Sequence, residues 1–202
     1  GVICEIMKDD GTMARLPDLV GFAQFHGLKI GTIRDLIAYR RRYDNLVQCV
    51  TETRIDSVHG GEWIAKTYVN KAEYAEHLVL QKGKIDPSKP TLVRMHALSV
   101  FTDVLGEKGE RLNQLHRAMD MIADEGAGVV VVLYDGAPDA LSQVMKRHGE
   151  TGDSRALRDY GIGAQILADL GVHDMVLLTN SHRSIVGVDA YGLNVVAERQ
   201  IV

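Results

Sequence analysis

The run Gly128-Val129-Val130-Val131-Val132-Leu133-Tyr134 constrains this chain more than any other short stretch. Four consecutive valines followed by leucine leave no polar face. A strand of that kind must be covered on both sides, as in the interior of a parallel sheet. The period changes just before it. Leu112, Leu115, Met119 and Ile122 recur at helical spacing, and Gly126 stands where that helix would end. A helix feeding a doubly buried strand is half of a βαβ unit. Downstream, residues 135–157 read as a polar, Gly-rich loop with a short helix. Asp159 is placed to cap a helix over Tyr160–Leu170, Met175–Leu178 reads as a second buried strand, His182–Ala190 as a helix and Leu193–Ala197 as a last strand.

Upstream the pattern is different. Strand-like runs at Val47–Ile55, Trp63–Val69, Glu76–Leu80 and Thr91–His96 are separated by Gly60-Gly61, Gly83 and Pro87/Pro90. They predict a small antiparallel sheet or partial barrel. The first residues form a separate segment. Gly1–Ile6 reads as a buried strand, Asp9-Asp10-Gly11-Thr12 as a turn, and Pro17 opens a helix that His26-Gly27 stops. Leu28–Ile30 reads as a short strand. Thr32, with Asp35 three residues on, is placed to cap a helix carrying Ile33, Leu36, Ile37 and Tyr39 and closed by Arg40-Arg41-Arg42. The predicted fold is mixed α+β and α/β. A small antiparallel entrance is followed by a β-α-β-α layer, in two units, 1–46 and 47–202. A chain that opens inside a core strand, without an initiator Met, reads as part of a longer one.

Composition excludes some functions. A net charge of −4 offers no basic surface for nucleic acid or an anionic membrane. No apolar run approaches the roughly 20 residues of a membrane span. Two cysteines, Cys4 and Cys49, make no disulfide framework and point to a reducing cytoplasm.

The stretch Leu157-Arg158-Asp159-Tyr160-Gly161-Ile162-Gly163-Ala164-Gln165-Ile166-Leu167, then Leu170-Gly171 and Leu177-Leu178-Thr179-Asn180, resembles the core of GTP cyclohydrolase II. That family opens the imidazole ring of GTP at a zinc ion held by three cysteines. The resemblance implies a first thiolate where Arg94-Met95-His96-Ala97-Leu98-Ser99 carries Ser99, and two more near Gly109–Leu112, where no cysteine stands. Serine is a poor zinc ligand, so no metal is expected. His116, among Leu112, Leu115 and Met119, reads as a packed or rim histidine rather than a substitute ligand. The family's arginine-bearing phosphate run is replaced by Asp135-Gly136-Ala137-Pro138-Asp139, and two aspartates repel a triphosphate. Of the family's catalytic pair, Arg158 is retained while the proton acceptor is Ala156. The GTP-binding lysine has become Ser184. Arg94, His96, Gln114 and Thr179 match nucleotide-side positions. Read without the family, Thr179 closes a strand, Arg94 is an edge charge and Gln114 sits on an exposed helix face.

The first 45 or so residues are similar to the end of 3,4-dihydroxy-2-butanone 4-phosphate synthase, through Gly1–Ile6, Asp9–Arg15 and Ile33–Arg40. The resemblance places that family's essential glutamate on Glu5. Its acidic loop and Gly-His-Thr-Glu motif, which serve a Mg²⁺-dependent reaction, are not in this chain, so Glu5 is half a site, and a lone carboxylate holds no catalytic metal. The fusion of the two families, synthase first, is a known bifunctional riboflavin protein, and both families form homodimers. The expectation is a cyclohydrolase-like domain without zinc or activity, acting as a structural or regulatory partner of a synthase domain. The rivals are a cyclohydrolase with residual activity on GTP and a module that senses a nucleotide weakly.

Overall fold

The structure is a computed structural model. It describes residues 1, 3–32, 35, 36, 39, 44, 46–71, 75–146, 148, 156–180, 188 and 191–202, with backbone alone at 156–160. The chain divides into two compact units, Gly1–Arg40 and Arg41–Val202.

In the first unit, the Asp9–Thr12 turn forms as read. Lys8 and Thr12 close it through their backbones, and the Thr12 amide and hydroxyl both donate to Asp10 Oδ1. Helix α1, Leu16–His26, has Pro17 in its first turn and ends at Gly27, whose φ of 64° is open to glycine at little cost. The Asp35 amide donates to Thr32 Oγ1 at 3.0 Å, and the Thr32 hydroxyl donates back to Asp35 at 2.7 Å, so the cap also forms. Two strand expectations fail. Residues 3–6 and Leu28–Ile30 take no strand conformation, and Ile3 is exposed. A strand needs a neighbour for its amides and carbonyls. Among the described residues the first segment finds only an isolated Met7–Met13 bridge.

Among the described residues, the second unit is one seven-stranded sheet in the order β1-β2-β3-β5-β4-β6-β7. Its strands are β1 Val47–Ser57, β2 Gly61–Asn70, β3 Ala75–Lys82, β4 Thr91–Ala97, β5 Gly128–Leu133, β6 Asp174–Leu178 and β7 Asn194–Arg199. β1, β2 and β3 form an antiparallel meander, and β3 pairs antiparallel with β5. β5, β4, β6 and β7 are mutually parallel. The fold class stands as read, with one refinement: entrance and layer are a single hydrogen-bonded sheet, and Thr91–Ala97 belongs to its parallel part.

Every residue of β5 is buried, as the valine run requires. Val129, Val131 and Leu133 join Val93, Met95, Ala164, Ile166 and Leu167 on one face. Val130 and Val132 join Trp63, Leu92, Ala118, Met119 and Ile122 on the other. The first face is covered by α4, Ala156–Asp169, and the second by α2, Gln114–Glu125. Gly128 lies where α2 returns to the sheet. A Cβ there would stand 2.6 Å from the Leu92 carbonyl and 2.8 Å from Ile122, so only glycine allows this approach. The short helix expected in the 135–157 loop is α3, Ala140–Lys146. Asp159 falls inside α4 rather than at its cap, because the helix starts three residues earlier, at Ala156. The expected helix His182–Ala190 lies outside the described residues apart from Val188.

Candidate functional site

The chain leaves β4 for α2 and β5 on one side of β4, and later returns to β6 on the other. In such sheets ligands bind beyond the carboxyl ends of the strands, where the winding reverses. Arg94 and His96 lie near that end of β4, Gln114 opens α2 and Thr179 follows β6.

Arg94, His96 and Gln114 do meet, and they are interior, while Thr179 is half-buried. Arg94, His96 and Gln114 are buried, which corrects the readings of an edge charge and an exposed helix face. β4 is a central strand, and the α2 N-terminus closes over it. Arg94 donates through Nη1 to the Leu178 carbonyl at 2.9 Å and through Nη2 to Gln114 Oε1 at 3.1 Å. Gln114 Nε2 donates to the Glu110 carbonyl. Arg94 Nη2 also lies 3.5 Å from His96 Nδ1. A guanidinium only donates, so this contact assigns the imidazole proton to Nε2. Nε2 in turn donates to Asp103 at 2.8 Å. Thr179 sits at the β6 exit, its amide donating to the Arg199 carbonyl.

Sequence reasoning passed over Asp103, the hub of this network. It lies on a π-type turn, Val100–Val104, and its Oδ2 accepts from both His96 Nε2 and the Ser99 amide, the latter at 2.7 Å. Its side chain and that of His96 are almost fully buried. Burial alone would push the Asp103 carboxyl up. The His96 and Ser99 bonds, with the Arg111 charge nearby, outweigh it and hold the group below its ordinary value. The available signal was an acid four residues after Ser99, the reach of a single turn.

Ser99 is occupied too. Its Oγ accepts from the Thr102 amide at 3.3 Å and caps the π-type turn. In the 109–112 stretch, the Arg111 guanidinium reaches back to the Ala97 carbonyl at 3.0 Å. A hydroxyl bound to its own turn and a cation beside Asp103 do not fit zinc. Among the described residues no group of three His, Cys, Asp or Glu side chains is placed to hold a metal. Glu5 is exposed, just before the first-unit turn, and among the described residues it joins no group of three His, Cys, Asp or Glu side chains.

Beyond β5 the Tyr134 amide donates to His77 Nδ1 on β3 at 3.3 Å, and the loop then folds back on itself. The Ala137 amide donates to Asp135 Oδ1, and Gln143 Nε2 to Asp139 Oδ2. No cation stands in 134–139. Arg158 is in the first turn of α4. Its side chain and that of Ala156 lie outside the described residues, as does Ser184 altogether.

His116 is half-buried, as the packed or rim reading had it. Its ring stacks on His59 at a centroid distance of 4.1 Å and an angle of 7°. His59 Nδ1 lies 3.2 Å from Asp120 Oδ2. Burial, then the His59 charge, holds His116 below the ordinary imidazole value, although Asp103 and Asp120 pull the other way. This cluster was not foreseen, because 57 residues separate its two rings in the chain.

Comparison with known proteins places both units. The family model of GTP cyclohydrolase II matches residues 48–200, and that of 3,4-dihydroxy-2-butanone 4-phosphate synthase matches residues 1–39. The chain is 42% identical to riboflavin biosynthesis protein RibBA of Aquifex aeolicus, with 97% of this chain and 52% of that one aligned. It is 38% identical to the 3,4-dihydroxy-2-butanone 4-phosphate synthase of Photobacterium phosphoreum, over 96% of this chain and 54% of that one. Among solved structures it is similar to RibBX, a two-domain 3,4-dihydroxy-2-butanone 4-phosphate synthase from A. baumannii. That match has a TM-score of 0.57 at 31% identity, covering 98% of this chain and 53% of that one. The chain thus spans about half the length of the relatives it matches. No helix among the described residues is long and apolar enough to cross a membrane.

Proposed function

Because this chain belongs to the GTP cyclohydrolase II family over residues 48–200, we propose that it is part of a riboflavin-biosynthesis protein whose cyclohydrolase unit has become a structural or regulatory partner of a synthase domain. In this reading the unit holds no zinc and opens no GTP ring. One observation carries it: where the family would place thiolates, Ser99 caps its own turn and Arg111 binds the Ala97 carbonyl. Losing thiolate ligands removes binding energy on the order of 10 kcal/mol. The β5 loop supports the same reading, since aspartates occupy the place where a triphosphate needs cations. So does the likeness to a two-domain synthase from A. baumannii. The protein would work in the cytoplasm, as a homodimer, with the synthase domain as its partner and no nucleic acid or membrane.

Elemental analysis of the purified chain after dialysis against a chelator is expected to find no stoichiometric zinc, and formate release from GTP is expected to match a blank. One equivalent of retained zinc, or formate release that Arg158→Ala abolishes, overturns the reading. A second reading, nucleotide sensing, draws on the survival of Arg94, His96, Gln114 and Thr179 around one strand end. It requires GTP to raise the melting temperature, since a ligand at 100 times its Kd stabilises by about 2.7 kcal/mol. The structural reading expects no shift, because both terminal nitrogens of Arg94 already donate inside the protein.

A further inference from the structure

The edge strand β1 is built unlike a protected edge. It runs for 11 residues, with neither proline nor glycine. No strand lies on its outer side among the described residues. Residues 50–56 are all exposed, Val50 by 51% and Ile55 by 37%. Edges are normally blunted by bulges, prolines or charged side chains, because a bare edge invites another strand, and the charges of β1 are of both signs. The one irregularity in β1 is between Cys49 and Thr51, which leaves Thr51–Ser57 in regular register.

The side chains along this edge alternate in sign. Glu52, Arg54 and Asp56 share one face, since residues two apart along a strand do. Such a row is self-complementary in one orientation only. A parallel copy in register would set like charges opposite each other. An antiparallel copy about a two-fold axis at Thr53 sets Glu52 opposite Arg54 of the partner subunit, twice, and Thr51 opposite Ile55 of the partner subunit. Moving the axis to Arg54 opposes that arginine to itself. Moving it to Ile55 also gives two opposite-charge pairs, Arg54 against Asp56 of the partner subunit, but it shortens the ladder to residues 53–57 and places Glu52 against Val58, beyond the strand end. Within the chain, Glu52 already pairs with Lys66 on β2 at 3.5 Å. The Thr53-centred register extends this pair into a row of alternating charge across the seam.

We propose that a second copy of this chain docks on β1, antiparallel and centred on Thr53, joining two seven-stranded sheets into one. The proposal rests on the structural reading of the domain and gives it a contact surface.

The test measures the mass of the full chain by light scattering at low salt. The expected result is a dimer whose dissociation constant rises about tenfold or more for Arg54→Glu and for Glu52→Arg, since opposed like charges replace two attractive pairs. The double variant E52R/R54E is expected to restore the dimer. With Cys4→Ser and Cys49→Ser in place, Thr53→Cys is expected to cross-link two chains on mild oxidation, because directly opposed residues lie within disulfide reach. A monomeric parent chain, a dimer indifferent to both single reversals, or failure of both the double variant and the cross-link overturns the proposal. Zinc and formate read the interior of the domain while these measurements read its edge, so either idea can fail alone.

Discussion

The loops leaving β4 and β5 stand side by side at one end of the sheet, yet they are built differently. After β4, Arg94, His96, Ser99, Asp103 and Gln114 form a continuous hydrogen-bonded network, with Arg111 tied separately to the Ala97 carbonyl. After β5, one bond from the Tyr134 amide to His77 ties the loop to β3, the Ala137–Asp135 and Gln143–Asp139 bonds stay within four residues, and Tyr134 is half-exposed. A polar group that also holds the fold together resists replacement, because an orphaned buried partner costs about 1–3 kcal/mol. A group that only touches a ligand has no such restraint once the ligand is gone. On the proposed reading, the β4 loop kept its side chains for stability, and the β5 loop lost its cations because nothing else needed them.

Both loops stand on the same core, which sets the upper limit of any effect. Leu167 on α4 is fully buried, and Leu167→Ala is expected to cost about 2–5 kcal/mol in denaturant unfolding. A loss under half a kcal/mol would remove α4 from the shared support. Next comes Asp103→Ala, which strands His96 Nε2 and the Ser99 amide and is expected to cost about 3 kcal/mol at neutral pH. The Asp103 carboxyl sits below its ordinary value in the folded protein. Its contribution is therefore present above about pH 4 and fades as the pH falls through the folded value. The gap between the parent chain and Asp103→Ala should narrow in acid, and a gap constant down to pH 3 would break the comparison.

A smaller effect is expected at His116. The folded protein protonates it less readily than the unfolded chain does. Stability should rise with pH through about 6.5 and be lost below it. His116→Phe keeps a ring against His59 and should flatten that slope, so the parent chain loses ground to the variant between about pH 7 and pH 5. An unchanged slope would mean that the stacked pair has no part in it. The smallest effect belongs to the β5 loop. Asp139→Ala, at an exposed position, is expected to change stability by less than about half a kcal/mol. A larger cost would show that this loop is held as firmly as its neighbour.

What the residues disclosed in advance follows the range of the forces involved. The valine run of β5, the α2 stripe from Leu115 to Ile122 and the glycine stops at Gly27 and Gly126 are local patterns, and each produced its element. The strand at Gly1–Ile6 was an equally local reading and failed, since a strand exists only with a neighbour. In the site, Arg94 and Gln114 stood out as positions but not in character. Their burial depends on α2 folding over β4, and no window of a few residues contains both. His59 was missed for the same reason, whereas Asp103 was missed although its partners Ser99 and His96 lie within seven residues.

The pairing of β3 with β5 has a kinetic consequence. β1, β2 and β3 follow one another in the chain with three or four residues between them, so they can zip locally. The parallel half must first close loops of about 30 residues or more, at an entropic cost, before β4, β5 and β6 find one another. Five residue pairs between β3 and β5, from Leu78–Val132 to Lys82–Gly128, then weld the fast half to the slow one. A meander formed early would wait with an open edge along β3, where the first parallel strand to arrive completes the fold and a stray strand from another molecule aborts it. Refolding yield of this domain should therefore fall with protein concentration more steeply than its final stability would suggest.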